Sequence, residues 1–229
     1  MNHLKQFKNI HIGEDIYVIA SGKSVDYIDE SFFDNKITIG MNQVFKKIKC
    51  NYLVRKEAEL IEEVIQQAHV STIHFISKGA CGSCHPNNIK RTKLVLQHVD
   101  MSNIVVYDHL QNNGPAPIQT LPQDDMLVVS HSTITSAIHL AAYMGAKNII
   151  LVGHDCGSIN GECNFIGYHN KDTYKIAWNN GKDDYLQWLK SIEDNTIRLK
   201  KLLQRKYKCN IHSLNPFINF NLEGYHYEK

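Results

Sequence analysis

The sequence predicts an α/β fold of Rossmann-like type, a mostly parallel sheet flanked by helices, on three observations. Short β-branched runs alternate with stretches of helical spacing along most of the chain. The runs are continuously apolar rather than alternating in and out, as parallel strands covered on both faces require. The residues just after each run are small and polar, which suits the end of an open parallel sheet where ligands bind.

The candidate strands fall at 16–20, 36–40, 51–54, 72–77, 103–107, 126–130, 148–153 and 209–214. Helical spacing covers 57–68, 132–144 and 183–206, and in the last of these Tyr185, Trp188, Leu189, Ile192, Ile197, Leu199, Leu202 and Leu203 follow a period near 3.6. The stretch 78–123 is the least regular. Gly79, Gly82, Pro86, Gly114, Pro115, Pro117 and Pro122 break it up around one strand, and we expect an insertion or lid over the site there.

Size and composition bound the rest. With 229 residues, 43% of them apolar and 21% charged, the chain reads as a single domain spanning 1–229. A domain of that length buries roughly 70% of the surface its unfolded form exposes, so neither a disulfide scaffold nor disorder is expected. The balance of 25 Lys+Arg against 23 Asp+Glu leaves no broad field of one sign, so nucleic acid is not the expected partner. A polar N-terminus and the lack of any apolar run near bilayer length predict no transmembrane segment and a cytoplasmic location. An apolar face on the 183–206 helix would support a homo-oligomer.

Six cysteines in such a compartment are expected to be reduced. Cys81-Gly-Ser-Cys84-His85 matches the c-type haem attachment pattern, which needs export. A zinc site on Cys81 and Cys84, with His85 or with Cys156 and Cys163, is chemically sound but lacks a second Cys-x-x-C. A zinc deaminase would need His-x-Glu upstream of the cysteines, and His226-Tyr-Glu228 lies downstream. A loop carrying thiols is the default.

The strand ends carry the chemistry. They read Ser21-Gly22-Lys23-Ser24, Met41-Asn42-Gln43, Arg55-Lys56-Glu57, His131-Ser132-Thr133, His154-Asp155 and Asn215-Pro216. The first and fourth have the form strand, hydroxyl-rich turn, helix, which aims backbone N–H groups and a helix dipole at an anion such as a phosphate. The alternative is that Ser24 and Ser132 or Thr133 are simple N-caps. Gly22-Lys23-Ser24 is not a Walker A turn, because Tyr17 occupies the place of its first glycine. No Asp-x-Asp occurs, so a diphosphate held through a metal on that motif is disfavoured, although Asp155 and Glu57 are possible single ligands.

These ends resemble those of the bacterial sialyltransferases that use CMP-sialic acid. The resemblance lies in Ile19-Ala-Ser-Gly-Lys-Ser-Val-Asp-Tyr-Ile-Asp29, in Met41-Asn42-Gln43, in the block Ser132–Asp155 with its Gly153-His-Asp155 end, and in the helix, strand and Asn-Pro loop of 195–216. The same order is similar to that of the wider MptE-like group, which includes 6-hydroxymethylpterin diphosphokinases and flagellin-associated transferases of nonulosonic acids. The likeness covers roughly two thirds of the chain, and 132–155 is its most specific part. Fold follows from it more safely than activity.

The resemblance implies a metal-independent glycosyltransferase moving a nonulosonic or related sugar from a CMP-linked donor to a hydroxyl on a glycan or other acceptor, with no cofactor. It implies that Gly22 and Ser24 meet the nucleotide phosphate or ribose, that Asn42 contacts the donor, and that Ser132 and Thr133 lie beside the sugar carboxylate or phosphate; Ser21, Lys23, which could add a cation, and Asp155 complete the candidate donor site. Tyr168 and Tyr174 would face the acceptor. A His acts as general base in that family; none stands at the equivalent distance before Asn195, so His169 is the nearest candidate and His154 the second. The first turn also departs, with Gly-Lys-Ser where the family usually has Gly-Pro-Ser. A diphosphokinase moving pyrophosphate from ATP to a pterin-like alcohol, with magnesium on Asp155 and Glu57, is the alternative enzyme. A nucleotide-binding module without catalysis is the alternative outside enzymes.

Overall fold

The computed structural model describes residues 2–55, 68–77, 102–112, 118, 120–122, 126–130, 132–157, 159–168, 182–215 and 224–226. The strands are β1 (Asn2–His3), β2 (Asp15–Ile19), β3 (Ile37–Met41), β4 (Tyr52–Arg55), β5 (Ile73–Ser77), β6 (Ile104–Asn112), β7 (Met126–Ser130), β8 (Asn148–Val152), β9 (Asn210–Asn215) and β10 (Gly224–His226). Among the described residues the α-helices are α1 (Thr133–Tyr143) and α2 (Lys182–Tyr207). Each apolar run singled out in the sequence is a strand. The terminal strands β1 and β10 are two and three residues long, too short to produce a hydrophobic run.

All pairs among the described strands are parallel, in the order β1-β6-β5-β4-β3-β2-β8-β9-β10. β7 lies beside the second half of β6, Met126 opposite Asp108 and Ser130 opposite Asn112. From β2 the chain steps outward in one direction through β3, β4, β5 and β6, then returns through α1 to β8 on the other side of β2. The strand order therefore reverses between β2 and β8, the place where open parallel sheets open a crevice for ligands.

Burial explains the apolar runs. β3, β5, β7 and β8 each have four consecutive buried residues after a half-buried first one, as expected for strands covered on both faces. Helix α1 is buried along its whole length. Its first half protects the open edge of β7: Ser130 N donates to Thr135 Oγ1 (2.9 Å), Ser136 Oγ donates to Val128 O (2.9 Å), and Val128 N donates to His139 Nδ1 (3.1 Å). Because that Nδ1 accepts, the ring proton sits on Nε2, which donates to Tyr207 Oη at 3.1 Å. The carbonyls at the other end of α1 receive N–H groups from the N-terminal segment: Asn9 to Tyr143 O (3.0 Å), His11 to Met144 O (2.8 Å) and Gly13 to Gly145 O (3.0 Å).

Two expectations need correction. The turn after β2 leads into a 3-10 helix, Lys23–Tyr27, followed by a second one, Glu30–Phe33, and not into an α-helix. The residues explain it. Val25, Tyr27 and Ile28 are β-branched or aromatic, and Asp26, Asp29 and Asn35 prefer turns, so little favours helix propagation. The irregular stretch 78–123 contains a nine-residue strand, since β6 runs to Asn112, five residues past the expected end, where β7 pairs with it. The remainder of the expected lid, apart from 118 and 120–122, and the expected helix over 57–67 lie outside the described residues.

Candidate functional site

The turns after β2 and β8 cross at the reversal point. The ladder between these strands continues past their ends, with Ala20 N donating to Val152 O and Gly22 N to Gly153 O, both at 2.7 Å. A Cβ on Gly22 would stand 2.3 Å from Gly153 O and 2.5 Å from Asp155 Oδ2, so only glycine fits. Gly153 has φ +64°, and a Cβ there would lie 2.3 Å from Val25 Cγ2.

That approach brings Asp155 onto Ser24. Ser24 N donates to Asp155 Oδ2 at 2.7 Å, and Ser24 Oγ donates to Asp155 Oδ1 in a still closer contact. Burial pushes the Asp155 carboxyl above its ordinary value, against the opposing pull of the two Ser24 bonds. The sequence reading has Ser24 offer its N–H and hydroxyl to a phosphate. In the structure both already serve an internal carboxylate, and the 3-10 turn behind them supplies no α-helix dipole. For the same reason both Asp155 oxygens are engaged, which weakens it as a magnesium ligand; Glu57 lies outside the described residues. Among the described residues no group of three or more His, Cys, Asp or Glu side chains is arranged to hold a metal ion.

Residues 159–168 fold back over this crossing. Asn164 bridges Gly22, and Phe165 N donates to Ser21 O at 3.0 Å. Ile166 N donates to Asp26, 3.0 Å from Oδ2. The same carboxylate takes Lys23 Nζ at 3.0 Å and Lys47 Nζ in a closer contact. Burial pushes Asp26 up, but the bonds from Lys47, Lys23 and Ile166 outweigh it and hold the group below its ordinary value. Lys23 is raised, chiefly by its hydrogen bond to Asp26.

Tyr168, expected on the acceptor side, stands against the end of β3. Its hydroxyl receives Asn42 Nδ2 at 3.4 Å, and its ring meets Phe165 edge-on at 5.2 Å. Asn42 has φ +50°, a left-handed turn position that asparagine tolerates, and its N–H donates to Val54 O at 3.2 Å.

A second group gathers at the ends of β7 and β8. Ser132 caps α1, its hydroxyl accepting Ile134 N at 3.5 Å, and Thr133 opens the helix. Ser130 Oγ donates to Asn195 Oδ1 at 2.7 Å, and Asn195 Nδ2 donates to Ser191 O at 2.8 Å. The next residue of α2, Thr196, donates its hydroxyl to Ile192 O (3.0 Å) and therefore accepts from His154 Nε2 (2.8 Å). Burial drives His154 down to about 3, so the ring is neutral. His154, the second candidate base, is thus 4% exposed and bonded to Thr196. His169 and Tyr174 lie outside the described residues.

Ser21, Gly22, Lys23, Ser24 and Asp155 therefore meet in one cluster, and Asn42 joins it through Tyr168. Ser132 and Thr133 belong to the second group, which reaches the first because His154 and Asp155 are chain neighbours. Sequence reasoning missed Asn195 and Thr196, although two adjacent polar residues inside the apolar spacing of α2 were a usable signal. It also missed Asp26. Cys50, Cys156, Cys163 and Cys209 are thiols, and burial pushes Cys50 to about 12 and Cys209 to about 11. Cys81, Cys84 and His85 are not among the described residues. No described helix is long and apolar enough to cross a membrane.

No protein-family model matches the sequence, and no curated protein matches it significantly. Solved structures do. The glycosyltransferase MAf from Magnetospirillum magneticum AMB-1 aligns with 97% of this chain at 14% identity and a TM-score of 0.51; the chain spans 36% of that protein's length. The sialyltransferase CST-II, solved with a trisaccharide acceptor and CMP, aligns over 92% of this chain and 85% of its own at 16% identity and a TM-score of 0.54. The Campylobacter jejuni sialyltransferase CstII, solved with cytidine-5'-monophosphate, aligns over 93% and 90% at 14% identity and a TM-score of 0.47. This chain therefore has a Rossmann-like α/β fold in common with glycosyltransferases of known structure.

Proposed function

We propose that the chain is a glycosyltransferase that moves a nonulosonic or related sugar from a CMP-linked donor to a hydroxyl acceptor without a metal. The observation that carries this reading is the convergence of Gly22, Lys23, Asn42, Tyr168 and Asp155 at the β2/β8 reversal point, in a fold that matches a CMP-binding sialyltransferase over nearly its whole length. Open parallel sheets bind ligands beyond their strand ends at such a reversal, and the small and polar residues there suit a nucleotide.

In this reaction a base takes the proton of the acceptor hydroxyl, its oxygen attacks the anomeric carbon, and the bond to the CMP phosphate breaks. The leaving phosphate carries the developing negative charge. The α1 N-terminus at Ser132 and Thr133 and the Lys23 ammonium are the groups suited to stabilise it. Asn42 and Tyr168 would hold the nucleoside portion. Ser24 and Asp155 act at one remove, by locking the crossing that sets their neighbours. A histidine with a pKa of about 6.5 is a suitable base; His169 directly follows Tyr168 in the chain and is the candidate.

Calorimetric titration with CMP and with ATP, each with and without magnesium, tests the reading. CMP binding indifferent to magnesium is expected, followed by transfer from CMP-activated sugars that His169→Ala abolishes while CMP binding persists. Magnesium-dependent ATP binding without CMP binding would overturn it in favour of pyrophosphate transfer. CMP binding without turnover of any activated sugar would leave a nucleotide-binding module.

A further inference from the structure

We propose that Asp26 is a positioning residue for the donor site: its carboxylate fixes residues 164–168 over the turn after β2 and thereby sets Tyr168 opposite Asn42. Its consequence for CMP rests on the transferase reading above, whereas its structural part does not.

Three elements converge on this one side chain, which is 9% exposed. Lys23 comes from the turn after β2, Lys47 from just past the short turn Val44–Lys46 that follows β3, and the Ile166 N–H from the returning segment. Around Ile166 the segment makes further attachments: Asn164 on Gly22, the Phe165 N–H on Ser21 O at 3.0 Å with the Phe165 ring buried, and the buried Tyr168 on Asn42. Ile166 itself is 77% exposed, so its side chain contributes little packing to hold the segment down. The attachment at this point is the charge-assisted bond from its N–H to Asp26. Such bonds are among the stronger ones in proteins, and the two lysines hold the carboxylate ionised and oriented to accept it.

The Asn42–Tyr168 contact is long, at 3.4 Å, and does not fix Tyr168 by itself.

The test uses the full chain and four variants: Asp26→Ala, Asp26→Asn, Tyr168→Phe and the Asp26→Ala/Tyr168→Phe double. Amide exchange of 164–168 is followed without ligand, and CMP affinity is measured by calorimetry. Asp26→Ala should speed exchange at Ile166 and weaken CMP about tenfold, the scale of one lost charge-assisted bond. Asp26→Asn keeps an acceptor for Ile166 N but no charge for the lysines, and should fall in between. Tyr168→Phe should weaken CMP in the wild-type background but not in Asp26→Ala, because the tyrosine is no longer held in place there.

Additive losses would mean that Asp26 acts only on general stability and would overturn the proposal. So would unchanged CMP affinity in Asp26→Ala. A tighter complex would overturn it too, because it would mean that the unit of positive charge gained matters more than position. If Asp26→Ala does not fold, Asp26→Asn carries the same comparison. If the wild type binds no CMP, the transferase reading fails, and exchange at Ile166 still decides the anchor: faster in the variant supports it, unchanged refutes it.

Discussion

Replacing Asp155 tests whether the crossing at the reversal point is built as described. Ser24 is 2% exposed and Asp155 8% exposed, and both Ser24 donors end on the carboxylate. Asp155→Ala leaves a buried N–H and a buried hydroxyl without their acceptor, at about 1–3 kcal/mol each, so a total loss of about 2–6 kcal/mol is expected. With a urea m-value of about 3 kcal/mol/M, a 3 kcal/mol loss lowers the unfolding midpoint by about 1 M. Asp155→Asn behaves differently. Its Oδ1 can accept Ser24 N–H, its Nδ2 can donate to Ser24 Oγ, and no charge is buried, so the change should stay within about 1 kcal/mol. pH adds an independent arm. Burial raises the Asp155 pKa, so between its ordinary value of 3.8 and its raised one the folded state binds more protons than the unfolded state. Its contribution is therefore fully present below 3.8 and is lost as pH rises through the folded value; Asp155→Asn should remove that component. Urea melts from pH 3.5 to 7 read both arms. An alanine variant as stable as wild type, or an asparagine variant as damaged as alanine, would refute the reasoning.

Gly22→Ala places a methyl 2.3 Å from the Gly153 carbonyl, a backbone atom that cannot swing away, so a loss of about 1–3 kcal/mol is expected in a urea melt even though alanine is the smallest available change. His154 is depressed to about 3, so the unfolded state binds the extra proton between pH 6.5 and 3. Stability should then fall with acid by up to about 1.4 kcal/mol per pH unit within that window and be indifferent to this group above it. His154→Gln, which can still donate to Thr196, should flatten that part of the curve, and an unchanged acid limb would show that the ring is not buried neutral.

The strands were legible because burial on both faces leaves a local trace, a run of apolar residues bounded by turn formers, as at 148–153. The same holds for α1, whose serine cap and unbroken small and apolar residues mark both start and character. Lys23–Tyr27 resembles the start of an α-helix in sequence because a hydroxyl-rich turn looks alike before either kind of helix, whereas the weak propensity of Val25, Tyr27 and Ile28 stops it at a 3-10 turn. The polarity of the strand ends is visible in the sequence, but the network that these residues form is not. Nothing local in Ser24 distinguishes a serine that awaits a phosphate from one already bonded to a carboxylate. Nor does His154 announce that Thr196 covers it.

By itself, then, the sequence determined the class of fold, the strand positions, the two long helices and the set of polar residues at the strand ends, because periodicity and turn chemistry act over a few residues. Only the tertiary structure decided which of those ends meet. Ser24 and Asp155 lie 131 residues apart in the chain. They touch because β8 returns beside β2 rather than beyond β7, which is a property of sheet order and not of either segment. The same return leaves room for residues 159–168 to settle onto Asp26, so the lysines flanking the site are held by an internal carboxylate before any ligand arrives.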